Sequence, residues 1–379
     1  MSTNIQNKPT VLVLSCLGGA SHETAREAIE ASLNDRFTFH VYYPFKDLVL
    51  SQFFDIENAY NTAAAWGFSK TLNFLQRFIN TFIGSPCETK VQKVFKRLLD
   101  THKPKCVVSL VPVLNKFFIP ICQERKISYC LMPVYDDPDH WFTGLEEIKS
   151  FSPNTTLTYF HSGESKKILL DKGVPCSNIQ GLKRPIHPKF LKKMPDKKTL
   201  CKELKLPYKR HSILITYGGA GSTRTQKIVA LLAQQSFKKR IHLIILAGKN
   251  NRLKKRYEDL CNRLNLSATV LGFTQKIDQY MRASKILIGK PGPGIIFESL
   301  TIYRQRQKPF LLLDTGGILS WEERHVEMTE NIGIGKAFMD TTFIEVFQTA
   351  LKKTNPPLKE SSPIKNPIED LATIFNKTA

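Results

Sequence analysis

Residues 286–300 read ILIGKPGPGIIFESL. Residues 286–288 form a short apolar run, which predicts a buried strand. Lys290-Pro291-Gly292-Pro293-Gly294 breaks that run, and an apolar pattern of helical period resumes over 295–300. A strand, a Gly/Pro turn and a helix start together make an anion site. The first-turn N–H groups have no intrahelical acceptors, and the helix dipole favours negative charge. Glycine lets a phosphate approach the backbone closely. Glu298, one turn into the helix, is spaced to reach sugar hydroxyls beside that phosphate. An ordinary βα turn has the same signature, so the surroundings have to decide.

Downstream, residues 310–314 (FLLLD) predict the next strand. Thr315-Gly316-Gly317 and the charged Trp321-Glu322-Glu323-Arg324-His325 follow it. Upstream, a βα series starts at 212–216 (SILIT) and the turn Tyr217-Gly218-Gly219-Ala220-Gly221-Ser222, with a helix over 225–232. Residues 241–247 (IHLIILA) are a buried strand ending in Gly248-Lys249-Asn250. A basic helix over 253–264, a strand over 268–271, Gly272-Phe273 and a helix over 277–283 complete the approach to residue 286. Helices over 343–352 and 367–377 close the chain.

The amino-terminal half opens in the same way. A strand over 10–15 leads into CLGGAS (16–21), a helix over 22–33 and a strand over 37–41. Such βαβ units imply parallel sheets covered by helices, with ligands at the carboxyl ends of the strands. Gly18-Gly19-Ala20-Ser21 is not GxGxxG, so a dinucleotide fold is not read here. His22 at the helix start makes this turn a second site candidate. Further strands fall at 106–110, 128–133 and 157–160, and no repeat of solenoid length is present.

The 379 residues allow two or three domains, and 42% hydrophobic with 23% charged content is globular. Eight scattered cysteines without CxxC or zinc spacing read as reduced thiols. No signal-peptide pattern opens the sequence, and no apolar run approaches the roughly 18 residues of a membrane span. The expectation is a cytoplasmic protein, associated with membranes peripherally. The net charge of +22 is uneven: residues 1–185 carry 21 Lys+Arg against 17 Asp+Glu, a net of +4, which leaves +18 for 186–379. That balance favours anionic partners, whether lipid headgroups, nucleic acid or nucleotide phosphates.

Two stretches carry two readings each. Residues 66–84 place Phe68, Leu72, Leu75, Ile79, Phe82 and Ile83 at helical spacing, as core or as a face dipping into a membrane interface. Asp136, Asp137, Asp139 and His140 follow a strand, as an acid–base or metal site or as an Asp-Pro turn. Residues 186–210, rich in lysine and proline, read as a linker. The domains are therefore 1–185, the linker 186–210, 211–355, and a tail or helix over 356–379.

These pieces, in this order, resemble the family-28 GT-B glycosyltransferases, a group that includes monogalactosyldiacylglycerol synthases and bacterial glucosyl-diacylglycerol synthases. Gly18-Gly19-Ala20-Ser21-His22 resembles the family's GGGH loop, with Ala20 and Ser21 where glycines are expected. Asp139-His140-Trp141-Phe142 resembles H-x-x-W-F, and Gly181-Leu182 with Pro185-Ile186 resembles G-L-P-V. Tyr217-Gly218-Gly219-Ala220-Gly221 resembles GGG-x-G, Gly248-Lys249-Asn250 resembles G-R-N, and Leu271-Gly272-Phe273 resembles V-x-G-F. Lys290 to Gly294 with Glu298 is nearly identical to K-x-G-P-G-T-I-x-E-A. Glu322 resembles the glutamate of Q-E-x-x-N, with Trp321 in place of the glutamine.

The resemblance implies an α/β GT-B fold, in which two Rossmann-like domains with parallel sheets face across a cleft. It implies an inverting transferase that moves a hexose from a UDP-sugar to a lipid acceptor at an anionic membrane surface. Lys290, Gly292, Pro293 and Gly294 would hold the diphosphate, and Glu298 the ribose. Gly218, Gly219, Gly221 and Ser222 would cap the phosphates, with Gly248 and Lys249 beside them. Gly272 and Phe273 would surround uracil, and Glu322 and Glu323 would meet the sugar. His22 would be the base, with a proton affinity near neutrality; Asp137 and Asp139 are its rivals or partners. The helix N-terminus and the lysines offset the diphosphate charge, so no metal is required. Two alternatives keep the same fold: a non-catalytic basic binding protein, and a UDP-sugar hydrolase or epimerase. The absence of strand aromatics in an RNA-binding pattern argues against nucleic acid.

Overall fold

The computed structural model describes residues 8–18, 20–47, 62, 86–135, 137–159, 163–193, 195–306, 308–318, 322–352 and 367–377. The aromatic stripe at 66–84, Gly19, Asp136 and Trp321 lie outside them. The chain divides into two compact units. The bulk of the chain up to Pro188 and the carboxyl-terminal helix make one, and the bulk of the other lies between Lys189 and Lys352.

In the first unit, β1 (Thr10–Leu14), α1 (Ser21–Leu33) and β2 (Thr38–Tyr42) form the expected opening. After them come α2 (Pro86–His102), β3 (Cys106–Ser109), α3 (Asn115–Glu124), β4 (Ser128–Leu131), α4 (Pro138–Trp141), β5 (Thr155–Tyr159), α5 (Gly163–Asp171) and β6 (Ile179–Gly181). Among the described residues these strands form one parallel sheet in the order β2-β1-β3-β4-β5-β6. The connection direction reverses between β1 and β3, so their carboxyl ends form the crevice where such sheets bind ligands.

In the second unit, α6 (Pro188–Leu191) and α7 (Lys197–Glu203) precede a second parallel sheet. Its elements are β7 (His211–Thr216), α8 (Arg224–Ala233), β8 (Ile241–Leu246), α9 (Asn251–Arg263), β9 (Ala268–Leu271), α10 (Ile277–Ala283), β10 (Ile286–Gly289), α11 (Pro293–Arg306), β11 (Phe310–Asp314), α12 (Glu323–Ile332), β12 (Gly335–Phe338) and α13 (Phe343–Lys352). The strand order is β12-β11-β10-β7-β8-β9, with the switch point between β10 and β7. These strands are continuous apolar runs because both faces are covered, as parallel sheets require. Ile213, Ile215, Leu243, Ile245, Ile286, Ile288 and Leu312 pack on one face against Ile228, Val229 and Leu232 of α8 and Phe343 and Phe347 of α13. Each such side chain contributes roughly 1.5–3 kcal/mol by leaving water.

Two expected boundaries differ. Residues 186–210 are not an extended linker: Asp196 caps α7 by accepting from the amides of Lys198 and Thr199, and Leu200, Cys201, Leu204 and Leu206 are buried. The apolar spacing had been masked by the lysines between. The terminal helix, α14 (Ile368–Asn376), packs back on the first unit. Phe375 meets Phe37 edge-on at 5.4 Å, and the Lys377 carbonyl accepts from Ser128 Oγ at 2.9 Å.

Candidate functional site

The loops after β7, β8, β9 and β10 converge at the carboxyl end of the second sheet. Gly289 ends β10 against β7 so closely that a Cβ there would lie 2.2 Å from the Thr216 carbonyl. The turn then tightens, with the Gly292 amide donating to the Lys290 carbonyl at 2.8 Å. Gly292 thus spends its N–H inside the turn, and its carbonyl receives the first helical bond, from Ile296. The outward donors of α11 are the amides of Gly294 and Ile295, since Pro293 has none. Glu298 is half-buried on the second turn of that helix.

Beside the turn, Gly218 (φ +87°) and Gly221 (φ +71°) bend the chain between β7 and α8. A Cβ on Gly218 or Gly219 would meet nothing within 4 Å. That open space adjoins the switch point. Gly248 (φ +63°) is pressed on the same loop, where a Cβ would lie 2.2 Å from the Gly219 carbonyl, and the Lys249 amide donates to that carbonyl at 2.8 Å. A Cβ on Gly272 would lie 3.6 Å from the Gly248 carbonyl, an ordinary contact. Phe273 is 58% exposed, and Lys249 Nζ stands 5.4 Å from its ring centroid. Ser222 is buried, and its carbonyl accepts from Tyr257 on α9 at 2.5 Å.

Glu322 and Lys290 were expected to serve different parts of a ligand. The structure joins them: Nζ of Lys290 is 3.3 Å from the carboxylate of Glu322, which is buried. Glu323 is exposed at the start of α12. A further network went unread in the sequence. Buried Asp314, at the end of β11, accepts from Tyr217 at 2.6 Å and from Arg224 at 2.9 and 2.8 Å. Arg224 also reaches Asp340 at 2.8 Å, and Lys227 bonds Asp340 as well. Burial opposes the charge on Arg224, but the two carboxylates hold its pKa above the ordinary range. The readable signal was an aspartate closing an apolar strand. This network fixes the glycine loop from its far side.

In the first unit, His22 opens α1 at the β1/β3 switch point. It is 5% exposed, and its Nδ1 lies 2.5 Å from the Leu110 carbonyl beyond β3. A carbonyl accepts only, so Nδ1 carries the proton and Nε2 the lone pair. Its ring centroid is 6.1 Å from Tyr135 and 5.9 Å from Trp141, and Tyr135 stacks on His140 at 6.3 Å. A pKa near neutrality had been expected for His22. Burial, against the Leu110 bond, with nearby Arg184 on the side of burial and Glu23 opposing, instead lowers it to about 4. Burial and the neighbouring His22 bring His140 to about 3. Both rings are neutral at pH 7.

Asp137 turns its carboxylate to the His140 amide at 3.3 Å, while its carbonyl accepts from Trp141, so it caps α4. The side chain of Asp139 lies outside the description. Among the described residues, no three His, Cys, Asp or Glu side chains are placed to share a metal ion. Among the same residues no helix is long and apolar enough to cross a membrane.

Comparison with known proteins bears on this geometry. Residues 212–306, which contain all four converging loops, match the glycosyltransferase family 28 C-terminal domain. Monogalactosyldiacylglycerol synthase 1 of Arabidopsis thaliana is 24% identical over 350 residues, which are 86% of this chain and 61% of that protein. The processive diacylglycerol beta-glucosyltransferase of Bacillus cereus is 28% identical over 219 residues, 56% of this chain and 52% of that one. The chain thus spans about three fifths of the length of the plant relatives it matches. The crystal structure of MurG from Acinetobacter baumannii aligns over 91% of both chains with a TM-score of 0.58 at 11% identity. The fold is the expected α/β GT-B architecture of two parallel sheets.

Proposed function

We propose that this chain is an inverting glycosyltransferase that moves a hexose from a UDP-sugar to a diacylglycerol-like lipid at a membrane surface. The observation that carries the reading is the open space above Gly218 and Gly219 in the loop after β7, the strand next to the β10 that leads into α11, within a family 28 domain. A diphosphate fits such a place because orphan amides and the helix dipole both favour it. In this reading Gly292, Pro293 and Gly294 lie under the diphosphate, with Gly218, Gly219, Gly221 and Ser222 opposite. Gly248, Gly272 and Phe273 border the uracil, and Glu298 holds the ribose.

Lys290 and Lys249 offset the charge that grows on UDP as the bond to the anomeric carbon breaks. No metal is needed for that step. The Lys290–Glu322 pair places a sugar-binding carboxylate beside the phosphate cation, and Glu323 adds an exposed second one. The acceptor hydroxyl attacks from the face opposite UDP, so the anomeric centre inverts. His22 takes the hydroxyl proton on Nε2. Asp137 is the weaker candidate because its carboxylate already caps α4.

The membrane part rests on charge. Lys285, Lys197, Arg240 and Lys308 crowd His211 at the amino end of the second sheet. Burial and these cations together lower the proton affinity of both His211 and Lys285. Such a rim suits anionic headgroups and makes the protein a peripheral one.

Titration of UDP into the wild type, Gly219→Ala and Glu298→Gln tests the site. Transfer from UDP-galactose, UDP-glucose and UDP-N-acetylglucosamine to diacylglycerol vesicles tests the reaction. Expected are UDP binding by the wild type and a loss of roughly tenfold or more in each variant. No UDP binding would sink the transferase reading in favour of a binding protein. Free sugar or an epimer formed without acceptor would favour the hydrolase or epimerase.

A further inference from the structure

Arg184 stands just beyond β6 and is 2% exposed. Its Nη1 donates to the Val134 carbonyl at 2.8 Å. Its Nη2 donates to the Ser21 carbonyl at 2.9 Å and to Thr24 Oγ1 at 2.5 Å. Val134 precedes Tyr135 in the loop between β4 and α4, and Ser21 precedes His22 at the start of α1. One planar guanidinium therefore joins the β1–α1 junction that carries His22 to the β4–α4 junction that carries Tyr135, His140 and Trp141.

We propose that Arg184 is a positioning residue for His22: it locks the two junctions that frame the imidazole and sets a fixed cation beside it. This rests on the reading of His22 as the base. A rigid fork suits the task, because it bonds two elements at once at fixed angles. The cation makes the imidazolium form unfavourable, which keeps Nε2 free to accept a proton. The other groups facing His22 are few. Glu23 favours the protonated form, but it is held by Arg26 at 2.9 Å and by Ser15 at 2.6 Å. His140 and Tyr135 are neutral neighbours, and the Leu110 carbonyl takes the Nδ1 proton.

The test follows the His22 Cε1–H resonance against pH in the full chain, for the wild type, Arg184→Met, Arg184→Lys and Thr24→Val, alongside kcat and KM for transfer. The wild-type ring is expected to stay neutral down to the acid limit of folding. In Arg184→Met it should titrate at higher pH, and the acid limb of kcat/KM should move with it. There kcat should fall roughly tenfold to a hundredfold, as for a misplaced base, while KM for the UDP-sugar holds within about twofold. Arg184→Lys keeps the charge and loses the fork, so the titration should return while kcat stays low. Thr24→Val removes one bond only and keeps the measurement open if Arg184→Met does not fold. Unchanged kcat in Arg184→Lys and Thr24→Val, or an unmoved His22 resonance with unchanged kcat in a folded Arg184→Met, would overturn the proposal. Full transfer by His22→Ala would sink the base reading instead, and the shifted resonance in Arg184→Met would still stand.

Discussion

Three glycines within one loop pair should respond to alanine in three different ways. Gly219 has an ordinary φ and nothing within 4 Å of a Cβ, so Gly219→Ala should leave stability intact or raise it by up to about 1 kcal/mol through a stiffer unfolded chain. Gly218 has the same empty surroundings but φ +87°, so its alanine bears the left-handed cost alone, about 1–2 kcal/mol. Gly248 combines φ +63° with a Cβ only 2.2 Å from the Gly219 carbonyl. That atom is backbone, tied to the Lys249 amide at 2.8 Å, and cannot swing aside. Adding overpacking of about 1–3 kcal/mol gives a total of about 2–5 kcal/mol. For a unit of this size calorimetry should read shifts of about 2–4 °C per kcal/mol. The order should be Gly219→Ala, then Gly218→Ala, then Gly248→Ala. If Gly248→Ala proved no worse than Gly218→Ala, the close approach of the two loops would be refuted. The same series separates fold from ligand, because Gly219→Ala should cost UDP affinity and no stability.

Other outcomes follow from the charges. His22, His140 and His242 are held neutral by burial, with pKa values of about 4, about 3 and about 4. The unfolded chain takes up these protons near pH 6.5 and the folded one does not. Stability should therefore be flat above pH 6.5 and fall as pH drops toward 4, by up to about 3 kcal/mol for His22 alone; a urea midpoint unchanged between neutral and acid buffer would contradict this. Asp314→Asn should cost about 3 kcal/mol by leaving Arg224 and Tyr217 partly unmatched, and adding Arg224→Met should recover part of it in a double-mutant cycle. Binding to anionic vesicles should weaken with salt, and alanine at Lys285 and Lys308 should remove about 1 kcal/mol each; indifference to both would refute the basic rim as the contact. Transfer should survive chelation by EDTA, and its loss there would mean that a metal takes over the role given to Lys290 and Lys249.

The sheets and their loops were legible because the signals are local. Four apolar runs each end in glycine, and this alone orders β7, β8, β9 and β10 before any contact is known. What the glycines touch was not legible, since Gly248 and Gly219 are far apart in the chain and meet only through the sheet register. The same limit hid Arg184, one basic residue in a basic segment, whose burial depends on acceptors at Ser21 and Val134. It hid the acid shift of His22, because the sequence shows an imidazole without the Leu110, Tyr135 and Trp141 that surround it. Lysines at 197–205 concealed the apolar spacing of Leu200 and Leu204, so a folded helix read as a linker. Asp137, read as a rival base, also caps α4 through its carboxylate, a backbone role that the sequence did not separate from chemistry.

The return of α14 to the first unit also sets an order in time. On the ribosome, Phe37 emerges long before its partner Phe375. The stretch from Lys189 to Ile364 must be synthesised in between, which takes roughly 10–35 s at ordinary elongation rates. During that interval the first unit lacks the helix that covers Phe37. The second unit can thus mature first, and the unit that holds His22 is completed only after α14 has been made.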